Sequence, residues 1–228
     1  PRLKAATIGW QHNCYDGYLH VKPVVFWQQE NLLQQYLPNL DRYIVLSDYD
    51  KRDYMEKLGI DCEVKINPRS FVSEKKCDVK SKRFLMATRF VYAKGLDLMM
   101  ESFEEFCKED SEWELDIIGD GDLFDQIRAD AKKRHLEKRV HFVGYTNEPE
   151  KYYLNSSVFL LPSRWEGWPM VIMEAFEFGL PVIAYHMGAM DLIIDDGKTG
   201  FLPEAFDPHK FAQAMLKLAH DEELRVRM

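Results

Sequence analysis

The sequence predicts an α/β protein built on a parallel, doubly wound sheet. Three observations carry that expectation. From residue 83 onward, short apolar runs alternate with helix-patterned stretches. The runs are apolar on successive residues rather than on every second one, which marks strands covered on both faces. The polar residues that stand out follow directly after those runs, at the carboxyl ends of the strands, where open α/β sheets bind ligands.

Taken in order, residues 4–12 read as a strand ending on polar residues, followed by a loop, NCYDGY. Residues 19–36 read as a helical stretch interrupted by Pro23, and 42–47 as a short strand. Ser47 or Asp48 can cap a helix over Tyr49 to Leu58, which Gly59 stops. Residues 62–66 form another strand, and the polar, charged stretch 67–82 is the candidate linker region. Strands follow at 83–88, 113–119, 139–144, 157–162, 181–185 and 199–203. Helices are expected at about 95–109, 122–136, 148–155, 169–178, 188–194 and 208–220. Right-handed crossovers then limit the later part to Rossmann-like strand orders. The domain division is set at 1–75, a partial α/β domain, with 76–82 as linker and 83–228 as a complete Rossmann-like domain.

The chemistry centres on residues 162–181, PSRWEGWPMVIMEAFEFGLP. Pro169 suits the first turn of a helix, while Gly179 and Pro181 close it. Glu166 stands before this helix and Glu174 on its second turn, among Met170, Val171, Ile172, Met173, Ala175 and Phe176. A helix apolar nearly all round is a buried helix, and a carboxylate within it needs a partner. A diol donating two hydrogen bonds is one such partner; the alternative is that Glu174 and Glu177 form a thin solvated stripe. Arg89 and Lys94 flank the loop after the strand at 83–88, where two cations beside a helix N-terminus can clamp a diphosphate.

Other signals are weaker. GDGDLFD (119–125) lacks the third glycine of a dinucleotide fingerprint and carries Asp120, Asp122 and Asp125, so a nicotinamide or flavin site is rejected and its glycines are assigned to a tight turn. Tyr145 either borders a base or belongs to a plain loop. His12, at the end of the first strand, either projects toward a ligand or is a strand-end histidine satisfied by backbone. Trp165 and Trp168 either join the core or line a sugar site.

A net charge of −8 disfavours broad nucleic-acid binding. No apolar run approaches the roughly 20 residues of a transmembrane helix. The four cysteines have no C-x-x-C spacing and the seven histidines no metal spacing, so reduced thiols, no zinc site and a cytoplasmic setting are expected. Starting at Pro1 inside a domain pattern, the chain is read as a piece of a longer protein.

Together these residues resemble the retaining, GT-B-fold glycosyltransferases of family 4, the glycosyl transferases group 1 type. The resemblance covers 83–220 and, more loosely, 4–75. It rests on the Glu166-x7-Glu174 pair, on Arg89 with Lys94, and on IIGDG, VHFVGY, FLLPSRWEG and DGKTGFL in that order. It implies transfer of a hexosyl unit from a UDP- or GDP-sugar to a glycan or lipid-linked acceptor hydroxyl, with retention, in polysaccharide or glycolipid assembly. Arg89 and Lys94 would bind the diphosphate and Glu174 the ribose. Glu166 with Gly167, Trp168, Met170 and Val171 would bind the donor sugar, and His12 would stand near the reacting carbon. No metal or other cofactor is required in this class, and peripheral membrane contact would come through a segment outside these residues. Where the family often has Gly-Phe-Gly, this chain has Gly167-Trp168-Pro169, which removes one amide donor. On its own the piece is expected to be inactive. Two rivals share the fold: a nucleotide-sugar epimerase or a phosphorylase, and a non-catalytic nucleotide-binding module.

Overall fold

A computed structural model describes residues 5–20 and 29–228. Contacts divide the chain into two units, one of residues 1–68 with 165–169, the other of 69–164 with 170–228.

In the second unit, the strands are β4 (Arg83–Ala87), β5 (Glu114–Ile118), β6 (Val140–Gly144), β7 (Val158–Leu161), β8 (Val182–Ala184) and β9 (Gly200–Phe201). In the first they are β1 (Ile8–Trp10), β2 (Arg42–Val45) and β3 (Glu63–Val64). The second unit's sheet is wholly parallel, in the order β6-β5-β4-β7-β8-β9. Renumbered within the unit this is 3-2-1-4-5-6, the doubly wound order. Consecutive residues of each central strand serve opposite faces, as the unbroken apolar runs require. Phe84 and Met86 of β4 enter one core with Leu115, Ile117, Val158 and Leu160. Leu85 and Ala87 enter the other with Phe159, Leu161 and Val182.

The helices covering those faces are α4 (Leu96–Phe106), α5 (Phe124–Lys133), α6 (Glu150–Leu154), α7 (Met170–Glu177), α8 (Pro208–His220) and α9 (Glu222–Arg227). Helix α8 occupies its expected span because Asp207 caps it, accepting from the Lys210 N–H at 3.0 Å, and Pro208 fills the first position. The expected helix over 188–194 reduces to a three-residue 3₁₀ turn, Met190–Leu192. Helix α9 begins at a second cap, Asp221. It is fastened by the buried Arg225, which donates to the carbonyls of Val79, Leu218 and Ala219 and stacks over Trp113.

The first unit has a parallel sheet in the order β1-β2-β3. Its helices are α1 (Tyr15–Leu19), α2 (Glu30–Tyr36) and α3 (Asp48–Leu58). Ser47 caps α3 as expected, and Gly59 ends it. Of the helical stretch expected over 19–36, residues 21–28 lie outside the described residues, and 30–36 form α2. Helix α1 occupies the stretch expected to be loop. Cys14 caps it through Sγ, and Asp50, 35 positions away, accepts from the Tyr15 N–H at 2.9 Å.

Among the described residues no helix is long and apolar enough to cross a membrane, and no three histidine, cysteine or acidic side chains are grouped to hold a metal ion.

Candidate functional site

Strand order reverses between β4 and β7, and a crevice forms where connections leave such a switch point in opposite directions. The loop after β4 carries Arg89, which is exposed, and Lys94, which is half-buried at the end of the 3₁₀ turn Tyr92–Lys94. The chain after β7 leads through Glu166 to α7 and Glu174. The cations and Glu174 therefore follow neighbouring parallel strands at the same sheet edge.

The Lys94 loop is clamped from the β7 side. The Arg164 N–H donates to the Ala93 carbonyl at 2.7 Å. The Arg164 guanidinium donates to the Tyr92 carbonyl at 2.9 Å, lies 4.0 Å from the Tyr92 ring centre, and forks onto both oxygens of Asp97 at 2.8 and 2.5 Å. Gly95 passes so near Pro162 that a β-carbon there would lie 2.0 Å from its carbonyl oxygen. Arg164 and Asp97 were not among the expected site residues. Only the spacing of Asp97 into the first turn of α4 hinted at a role.

Burial tends to raise the Asp97 carboxyl, but the hydrogen bonds and charge of Arg164 outweigh it and hold the group below its ordinary value of 3.8. The unfolded chain then takes up the proton first as pH falls. The pair's contribution is present in full above pH 3.8 and is lost as pH drops through the lower folded value. Asp97→Asn is expected to cost about 1 kcal/mol at neutral pH, since solvent screens the half-exposed carboxylate. The gap from wild type should close on acid titration followed by urea unfolding; a gap that persists at the acid end would refute this.

The GDG turn after β5 braces the same loop. Gly119 packs on Thr88 and Gly121 on Phe90, backbone against backbone, while the Phe90 N–H donates to the Asp120 carbonyl at 2.8 Å. The two glycines are spent on this close approach.

Glu174 does not sit in a fully buried helix as expected. Only Ile172 and Ala175 of α7 are fully buried, and Glu174 is half-buried. Nor do Glu174 and Glu177 share a solvated stripe. Glu177 pairs with Arg69 at 2.7 Å, and this hydrogen bond holds its carboxyl below the usual range. Glu174 Oε2 accepts from the Tyr153 hydroxyl at 2.9 Å. Desolvation pushes the Glu174 carboxyl up, and the Tyr153 bond partly offsets this. Glu174 and Tyr153 share the wall of a cavity of about 800 Å³ with Phe71, Lys75, Asn147 and Phe178. Tyr145, 76% exposed on the loop after β6, is not in that wall.

In the first unit, His12 is exposed and its ring stacks on Trp10 at 5.2 Å. A β-carbon on Gly167 would lie 2.6 Å from the His12 carbonyl oxygen, so this position requires glycine. The structure thus brings Gly167 against His12, a pairing that sequence spacing does not reveal. Half-buried Glu166 lies in the same unit. Burial, then the charges of Asp50, Asp16 and Glu166, push the Cys14 thiol up to about 12 despite the hydrogen bond from Gly17. Trp168 buries its indole N–H without a hydrogen-bond partner among the described residues, and Met170 and Val171 are half-buried at the start of α7.

The chain as a whole is similar to known proteins. The chain is 28% identical over 191 residues to an uncharacterized glycosyltransferase of Haemophilus influenzae, covering 82% of this chain and 54% of that protein. It is 31% identical over 148 residues to the amylovoran biosynthesis glycosyltransferase AmsD of Erwinia amylovora, covering 64% of this chain and 41% of that protein. The crystal structure of an S. aureus TarM mutant with Fondaparinux, alpha-GlcNAc-glycerol and UDP matches at a TM-score of 0.84 and 23% identity, over 98% of this chain and 45% of that one. That likeness shows the GT-B fold. The chain spans about half the length of these relatives. Residues 70–228, including both switch-point loops, match the family description, and the chain belongs to the glycosyl transferases group 1 family.

Proposed function

We propose that this chain carries the nucleotide-sugar-binding part of a retaining glycosyltransferase of family 4, which moves a hexosyl unit from a UDP- or GDP-sugar to an acceptor hydroxyl. The observation that carries the reading is the placement of Arg89, Lys94 and Glu174 after β4 and β7, the two strands where the sheet order reverses. Arg89 and Lys94 take the diphosphate and Glu174 takes the ribose. Glu166, Gly167, Trp168, Met170 and Val171 take the donor sugar, with His12 near the reacting carbon. The anomeric C–O bond breaks with its electron pair leaving on the diphosphate, whose charge the two cations stabilise. The acceptor oxygen bonds to the same face of that carbon, and its proton passes to the departing phosphate oxygen. Glu166 and Glu174 are then binding groups rather than the acid and base of a glycoside hydrolase. These residues require no cofactor for this chemistry. The name of the amylovoran relative and the ligands solved with TarM support a polysaccharide or glycolipid product and a UDP-type donor. We assign the reaction to the cytoplasmic side of a membrane, where a lipid-linked acceptor is within reach.

Calorimetric titration with UDP and GDP tests the reading. One of them is expected to bind, and Glu174→Ala should weaken that binding about tenfold, the worth of a charge-assisted hydrogen bond. Wild-type protein that ignores both nucleotides, or a Glu174→Ala variant that binds as wild type does, sinks it.

A further inference from the structure

Tyr153 is the feature that the proposed reaction leaves unused. It is 1% exposed, and its ring stacks on Phe159, at 5.8 Å and 10° from parallel, and on Phe178, at 5.1 Å and 21°. A fully buried ring stacked on two others holds its hydroxyl in one place. That hydroxyl donates to Glu174 Oε2, and among the described residues no other side chain or backbone group hydrogen-bonds this carboxylate. The last torsion of a glutamate is broad and shallow, so an untethered Glu174 would sample many orientations of its carboxylate plane. A tether on one oxygen fixes the plane and leaves the second oxygen without a protein donor, in a residue that lines the 800 Å³ cavity.

We infer that Tyr153 is a positioning residue that sets the Glu174 carboxylate for the paired hydroxyls of a nucleoside ribose, and thereby sets the preference for ribo- over 2′-deoxyribonucleotides. This rests on the ribose role given to Glu174 above. A carboxylate already oriented loses less freedom when a diol binds, so the benefit of the tether appears only with ligands carrying both hydroxyls. A purely structural Tyr153 would affect all nucleotides alike.

The experiment is a comparison of dissociation constants for UDP and 2′-deoxy-UDP, and for the GDP pair, across wild type, Tyr153→Phe and Glu174→Ala. Phenylalanine keeps the stacked ring and removes only the donor. Wild type should favour the ribonucleotide by about tenfold, and Glu174→Ala should abolish the preference. Tyr153→Phe should cut it to two- or threefold while leaving 2′-deoxy-UDP affinity unchanged. Phe178→Leu, which keeps the hydroxyl but removes one stacking ring, should cut it less and serves as the second variant should Tyr153→Phe fold poorly. If wild type discriminates and these variants discriminate equally well, or if they weaken both nucleotides in step, the positioning role is overturned and the ribose role of Glu174 stands. If wild type binds the two sugars equally, the ribose role itself fails, and the inference falls with it.

Discussion

Replacing Gly119 by alanine is expected to lower stability by about 3–5 kcal/mol, from overpacking added to backbone strain. Gly119 has φ 126°, and a β-carbon there would lie 1.7 Å from the Thr88 carbonyl oxygen. A flexible side chain would yield to such a contact, but this neighbour is backbone held from both sides. The Thr88 N–H donates to Ile118 at 2.9 Å and the Phe90 N–H to Asp120 at 2.8 Å, while the Gly119 N–H donates to Gly144 at 2.9 Å. Relief therefore requires breaking the end of β4 away from the end of β5. Gly197→Ala is the matching control: φ is 81° there, but no atom lies within 4 Å of the added carbon. It should show the strain alone, about 1–2 kcal/mol. Urea unfolding of both variants measures the difference, and equal effects would show that the close approach at Gly119 has no energetic weight.

The second large effect is on rate. Lys94→Ala is expected to reduce kcat for sugar transfer by about 10²–10³-fold, the loss seen when one preorganised stabiliser of transition-state charge is removed. Lys94 ends a 3₁₀ turn whose carbonyls at Tyr92 and Ala93 are both held by Arg164, so its position is set before ligand arrives. In the proposed reaction charge accumulates on the diphosphate as the anomeric bond stretches, so the loss should fall more on kcat than on the KM for donor. Steady-state kinetics on the longer enzyme that contains these residues, with the donor that binds in calorimetry, checks this. A variant within threefold of wild type in kcat would remove Lys94 from the leaving-group site.

Much of the second unit was legible in sequence because local signals and tertiary demands agree there. Asp207 and Pro208 mark the start of α8 whatever surrounds them, and Phe84–Ala87 reads as a strand because both its faces are covered. Sequence reasoning failed where a distant residue decides. Helix α1 depends on a cysteine cap and on Asp50, neither of which a helix-start rule would find. The 188–194 stretch has helical periodicity, but only three of its residues take up a 3₁₀ turn. At the site, the charges of Arg89, Lys94 and Glu174 could be picked out individually. The supports of the site could not, because Arg164 reads as one surface cation among many and Tyr153 as one half of an aromatic pair. The apolar helical neighbours of Glu174 leave a buried carboxylate and a solvated stripe both open, and several of those neighbours are themselves only half-buried.

The contacts of Gly95 on Pro162 and of Gly119 on Thr88 are main chain on main chain. The floor of the switch-point loops is thus drawn by peptide units, whose chemistry is the same in every protein. Substitution at the exposed Arg89 leaves those main-chain contacts in place. Side chains above that floor can change while the foundation keeps one shape.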